Sequence, residues 1–131
     1  MTQQVRPFLM FTGDAEAAMT LYVSLFSDGA VLDLDRYGAG ESGPEGKVRH
    51  GRFRLGGQEV LCIDSPPVHD FTFTPSTSLF VECGSEAEFD KLFAKLSEGG
   101  GVLMPPDGYG FSRRFAWLND RYGVSWQLIL R

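Results

Sequence analysis

The chain has 131 residues with 12 Lys and Arg against 17 Asp and Glu, a net charge of -5; that balance repels a phosphate backbone, and no DNA or RNA partner is expected. No uncharged apolar run reaches the roughly 18 residues that a membrane helix needs. The opening "MTQQVRPFLMF" also lacks the apolar stretch and cleavage site of a signal peptide, so the expectation is a cytoplasmic protein with no membrane partner. A single domain of this length buries roughly two thirds of its unfolded surface without disulfides or a structural metal.

The chain then reads as one unit written twice. A short apolar strand from Phe8 leads into a helix with Ala18, Leu21, Tyr22 and Leu25 at i, i+3, i+4 and i+7, one apolar face, with Asp14 at the N-cap position. "AVLDLDRY" alternates as a strand, and "VRHGRFRLGGQEVLCID" gives two more, joined by Gly56-Gly57, a dipeptide suited to a two-residue hairpin turn. After "SPPVHDFTFTPSTS" the pattern restarts: a strand around Phe80, and a helix with Phe89, Leu92, Phe93 and Leu96 on one face. Ser85 and Glu88 make a capping box at its start. A strand near Val102 to Met104 follows, then "SRRFAWL" and "GVSWQLIL", turned through Asn119, Asp120 and Gly123. A shift of 71 places lays Gly13 on Gly84.

The predicted fold class is therefore α+β: two tandem βαβββ units in a single domain over 1–131, half-repeats about 5–64 and 77–131, with linker 65–76. The units form one curved mixed sheet, a cup with its helices outside. "GAGESGPEG" and "PPDGYGF" occupy equivalent places and read as loops at the cup's rim; neither precedes a helix, so neither suits a phosphate. Cys62 and Cys83, in apolar runs without CxxC spacing, read as buried free thiols.

Three stretches, "PFLMFTGDAEAAMTLYVSLF", "VRHGRFRLGGQEVLCIDS" and above all "WLNDRYGVSWQLIL", resemble the vicinal oxygen chelate superfamily of glyoxalases, bleomycin-resistance proteins and extradiol dioxygenases. The resemblance is greatest to the PhnB-like branch labelled 3-demethylubiquinone-9 3-methyltransferase. It implies paired βαβββ units, a homodimer and, in members with metal chemistry, one His or Glu from each of four strands around a divalent ion. The matching positions are Pro7, Ser78, Leu61 (or Cys62) and Gln127. None supplies an imidazole or carboxylate, so no metal and no cofactor is expected.

With Gln127 facing inward, as the resemblance implies, strand alternation assigns the other faces. Ser125 and Ile129 join it, and Trp117, Phe115 and Arg113 follow across the last hairpin. His50, Arg52, Arg54, Glu59, Leu61 and Ile63 come from the first hairpin, and Leu9, Phe11, Phe80 and Glu82 from the opening strands. The expected ligand-binding set is Phe11, His50, Arg52, Phe80, Glu82, Phe115, Trp117 and Gln127, with His50 the candidate catalytic base. Arg54 and Glu59 are expected to form a cross-strand ion pair, and His69 to face solvent.

Three functions compete. One is a metal-free protein that binds a small, planar, partly apolar organic molecule. A second is a lyase, isomerase or dioxygenase with atypical metal ligands such as His50, Glu59 and Glu82. The third takes the methyltransferase label literally; no glycine-rich strand-to-helix turn of the S-adenosylmethionine type supports it.

Overall fold

Gly56 and Gly57 both take positive φ, 52° and 83°, the paired left-handed residues that a type I′ hairpin turn requires. Asp28 holds that turn by accepting both glycine N–H groups at 2.7 Å, which lowers its carboxyl pKa, the Gly57 hydrogen bond contributing most. The turn fixes the register Arg54↔Glu59, Phe53↔Val60 and Arg52↔Leu61 between β3 (Val48–Leu55) and β4 (Gln58–Asp64).

Around this hairpin the first unit adds β1 (Phe8–Phe11), α1 (Ala15–Ser24) and β2 (Ala30–Arg36). The second unit contains β5 (Ser78–Glu82), α2 (Glu86–Ser97), β6 (Gly101–Asp107), β7 (Arg114–Asn119) and β8 (Ser125–Leu130). The computed structural model describes residues 2–131, and the two units divide between Thr72 and Phe73. Each carries a four-stranded mixed sheet, in the order β1-β4-β3-β2 or β5-β8-β7-β6. In each sheet the first strand pairs in parallel with the last. The βαβββ repeat read from the sequence is thus present twice.

In the first unit α1 buries Ala15, Ala18, Met19 and Tyr22 against the sheet face that carries Phe53, Val60 and Cys62. The Tyr22 and Phe53 rings lie 6.2 Å apart. Gly51 lets the helix approach: a Cβ there would stand 2.8 Å from the Cys62 sulfur and 3.1 Å from Met19. In the second unit α2 buries Phe89, Leu92 and Leu96, and the sheet contributes Ala116, Leu118, Trp126, Leu128 and Leu130. The Arg114 guanidinium lies 4.5 Å over the Phe89 ring, a cation–π contact that also covers apolar surface.

The two helices begin differently. Ser85 caps α2 as expected, accepting the Glu88 N–H at 3.2 Å, while the Glu88 carboxylate takes the Gly84 N–H at 3.1 Å. Asp14 stands at the start of α1 but makes no side-chain cap hydrogen bond. Its expected role falls to Asp64, at the end of β4. The fully buried Asp64 carboxylate accepts the N–H of Gly13 at 2.8 Å, of Ala15 at 3.0 Å and of Val48 at 3.0 Å. A negative group at a helix N-terminus also faces the positive end of the helix dipole.

Asp120 plays a comparable part in the second unit. Buried in the β7–β8 turn, it accepts the N–H of Tyr122 at 2.8 Å and of Val124 at 3.1 Å, and the Trp126 indole N–H at 2.9 Å. The most distinctive stretch of the sequence, "WLNDRYGVSW", is therefore a turn tied to a buried tryptophan.

Asp64→Ala leaves three backbone N–H groups short of an acceptor and is expected to lower stability by about 3 kcal/mol. Asp14→Ala is expected to change it by under about 0.5 kcal/mol. Urea unfolding of both variants measures the difference; equal losses would contradict this account of the α1 cap.

Candidate functional site

The side chains on the helix-free face of each sheet follow from the ladder. In the second unit Phe80 pairs with Gln127 and Gln127 with Trp117; one step away Ser78 pairs with Ser125 and Ser125 with Asn119. On the other side Glu82 pairs with Ile129 and Ile129 with Phe115. This face thus gathers Phe80, Trp117, Phe115 and Gln127, with Glu82 at its edge. Phe80 remains 50% exposed, whereas Ser125 is 1% exposed.

A hydrogen-bonded chain runs across it. The Trp117 indole donates to the Ser125 hydroxyl at 2.9 Å, the Ser125 and Ser78 hydroxyls lie 2.6 Å apart, and the Gln127 amide donates to Ser78 at 3.3 Å. Among the described residues, Asn119 Oδ1 is the buried side-chain polar atom without a partner. It stands beside Ser125 in the ladder.

The β6–β7 loop extends the aromatic surface. Phe111 meets Phe115 edge-on at 5.2 Å, and Tyr109 meets Phe115 edge-on at 6.1 Å. Tyr109 has φ 57°, a left-handed conformation uncommon for a residue with a Cβ, and its hydroxyl donates to the Pro105 carbonyl. Neither Tyr109 nor Phe111 was in the expected set. Their signal was the glycine-flanked aromatic pair in "PPDGYGF", which marks a loop but not the direction its rings take.

In the first unit His50, Arg52 and Arg54 lie on the helix-free face with Glu59, Leu61 and Ile63. Phe8 and Met10 join them through pairing with Leu61 and Ile63. Phe11 does not. It pairs with the buried Asp64 and is itself 4% exposed, so both Phe11 and Leu9, which pairs with Cys62, belong on the α1 side. Phe8, 53% exposed, takes the place expected of Phe11.

Arg54 and Glu59 stand opposite one another but do not pair. Glu59 accepts from Arg52 and from Arg6, both at 3.0 Å, and Arg54 turns to the Asp28 carbonyl at 3.1 Å. The Arg52 hydrogen bond, helped by Arg6, holds the Glu59 carboxyl below its usual pKa. Glu82 is likewise engaged, with Arg131 at 3.0 Å. Arg113 lies just before β7, exposed, donating to the Arg131 carbonyl at 2.6 Å. His69 is exposed and stacks on Phe71 at 4.9 Å.

A shallow groove of about 770 Å³ lies instead along α1, between Asp14, Glu16 and Thr20 of the helix side and Glu45 to Val48. None of the expected site residues lines it.

The four positions that the resemblance matches to metal ligands stand as two adjacent pairs. The Leu61 N–H donates to the Pro7 carbonyl at 2.9 Å, and Gln127 donates to Ser78. Proline and leucine side chains offer no donor atom, and serine and glutamine offer neutral oxygen, so this set does not fit a first-row divalent cation. Among the described residues no three His, Cys, Asp or Glu side chains gather as a cation site. Among the described residues no helix is long and apolar enough to cross a membrane.

Two βαβββ units with this strand order define a protein of the vicinal oxygen chelate, glyoxalase and bleomycin-resistance fold. A glyoxylase/bleomycin resistance protein/dioxygenase domain from Frankia sp. EAN1pec shares it, with TM-score 0.64 and 17% identity over 99% of this chain and 93% of that one. The chain belongs to the 3-demethylubiquinone-9 3-methyltransferase family, whose model matches residues 3–129. It is 51% identical to the PhnB protein from Bacillus cereus that carries the same family label, with TM-score 0.95, covering 98% of this chain and 100% of that one. Protein PA1353 from Pseudomonas aeruginosa is 26% identical, with TM-score 0.86 over 99% and 98% of the two chains. No curated protein matches the chain. The methyltransferase label is a family name. The sheets here are mixed four-stranded ladders, unlike the doubly wound parallel sheet with a glycine-rich turn that holds nucleotide cofactors.

The thiols do not add a nucleophile. Burial, with Asp64 nearby, pushes Cys62 up to about 12, and burial, with Glu88 nearby, pushes the half-buried Cys83 up to about 11. At pH 8 a thiol-disulfide reagent is expected to spare Cys62 and to modify Cys83 roughly a hundredfold more slowly than a free thiol, with both reacting at once in urea. Rapid native labelling of Cys62 would contradict this packing.

Proposed function

We propose that this protein binds a small, planar, partly apolar organic molecule, and does so without a metal ion. The observation that carries the reading is the neutral, hydrogen-bonded Ser78–Gln127 pair set among Phe80, Phe115 and Trp117, at positions that the resemblance matches to metal ligands. Aromatic walls with a few convergent polar groups are the usual make-up of an organic-ligand site. Phe80, Phe115, Trp117 and Gln127 form the contact surface in this reading, with Glu82 at its edge. His50 and Arg52 are polar groups on the helix-free face of the first unit's own sheet, and Phe11 has only a packing role.

An enzyme using His50, Glu59 and Glu82 as metal ligands gains no support, because both carboxylates are engaged by guanidinium groups. The same reading takes the protein as a cytoplasmic homodimer with no nucleic-acid partner, in keeping with its net charge of -5. Light scattering on the purified chain measures the assembly.

Purified protein soaked with zinc, nickel or iron and then desalted is expected to retain below about a tenth of an equivalent of metal. A library of flat aromatic compounds is expected to yield binders that raise the melting temperature by a few degrees, roughly the effect of ligand at several times its Kd. Trp117→Ala is expected to abolish those shifts. Stoichiometric metal retention, or indifference to the whole library, would contradict the proposal.

A further inference from the structure

The ligand's polar group can be specified further, on the basis of the binding function proposed above. We infer that it is a neutral carbonyl oxygen, carried on a flat ring and accepting hydrogen bonds from the Ser78, Ser125 and Gln127 network. The polar hydrogens of the network can be counted. An indole carries one polar hydrogen, each serine hydroxyl one and a primary amide two, so Trp117, Ser78, Ser125 and Gln127 hold five between them. The three hydrogen bonds that join these side chains use three. One hydroxyl hydrogen and one amide hydrogen remain.

The direction of the chain places the surplus. Trp117 donates to Ser125, and Gln127 donates to Ser78. Whichever hydroxyl donates across the 2.6 Å Ser78–Ser125 contact, the other keeps its hydrogen. The other spare hydrogen belongs to Gln127, a half-buried residue paired with the exposed Phe80. A group that covers this face must therefore bring an acceptor, because covering a donor without one forfeits the hydrogen bond it makes with water.

Charge narrows the choice. None of the four side chains is cationic, and the carboxylate of Glu82 stands one ladder step along the strand, beside Ile129. An anionic oxygen on this network would be taken out of water with no cation among its hydrogen-bond partners, because the Arg131 guanidinium is already engaged by Glu82 at 3.0 Å. An ammonium group carries no acceptor and would leave both spare hydrogens unpaired. A carbonyl oxygen satisfies the spare hydrogens at no charge cost, while the exposed Phe80 and half-buried Trp117 supply flat surface for its ring.

The test uses three bicyclic probes of one shape, 1-tetralone, tetralin and 1-aminotetralin, titrated into the intact chain. The Trp117 indole and Gln127 amide signals are followed by nuclear magnetic resonance, with Trp117→Phe and Gln127→Leu identifying them. The ketone is expected to shift both signals and to bind about tenfold more tightly than the hydrocarbon. Gln127→Leu is expected to bring the ketone down to the hydrocarbon's affinity. If tetralin or the amine binds as tightly as tetralone while shifting Trp117, the carbonyl inference falls and the binding function stands. If no probe moves the Trp117 signal, both fall.

Discussion

Each sheet of this protein has two faces and one helix to cover them. Alternation along a strand sends successive side chains to opposite faces, so the choice of which residues lie beneath the helix also decides which are left for other contacts. In the second unit Trp126, Leu128 and Leu130 lie beneath α2, which leaves Ser125, Gln127 and Ile129 on the other side. Trp126 is held there by its indole bond to Asp120 at 2.9 Å. The Asp120 turn thus fixes the parity of β8, and with it the position of Gln127.

The second unit was largely legible in advance for this reason. Its strands have long alternating patterns, its turn residues are specific, and Ser85 with Glu88 marks the helix start. The first unit's hairpin was legible too, because Gly56-Gly57 permits one register. The parity of β1 was not. A shift of 71 places that matches Gly13 with Gly84 also matches Phe11 with Glu82, yet Phe11 pairs with Asp64 beneath α1 while Glu82 pairs with Ile129 on the far face. The two helix starts are built differently, one capped locally by Ser85 and the other from across the sheet by Asp64. A four-residue strand of nothing but Phe, Leu and Met carries no alternation from which its faces could be read.

Ion pairing was the other feature that spacing could not give. Direct opposition of Arg54 and Glu59 suggests a bond, but long side chains choose among several partners. Glu59 is shared by Arg52 and Arg6, and Arg54 finds Asp28 at the hairpin turn. These exposed or half-exposed pairs order the sheet surface more than they stabilise it. The stretch "WLNDRYGVSW" encodes the Asp120 turn and the buried Trp126, so what it specifies is the fold.

The central claim is that the neutral, aromatic face around Gln127 holds an organic molecule and no cation. A crystal structure of the protein purified from its native host tests it most directly. The account predicts density for a flat molecule over Trp117 and Phe80, with an oxygen in hydrogen-bonding range of Gln127 or Ser78. A divalent ion coordinated by three or more side chains on that face would contradict it.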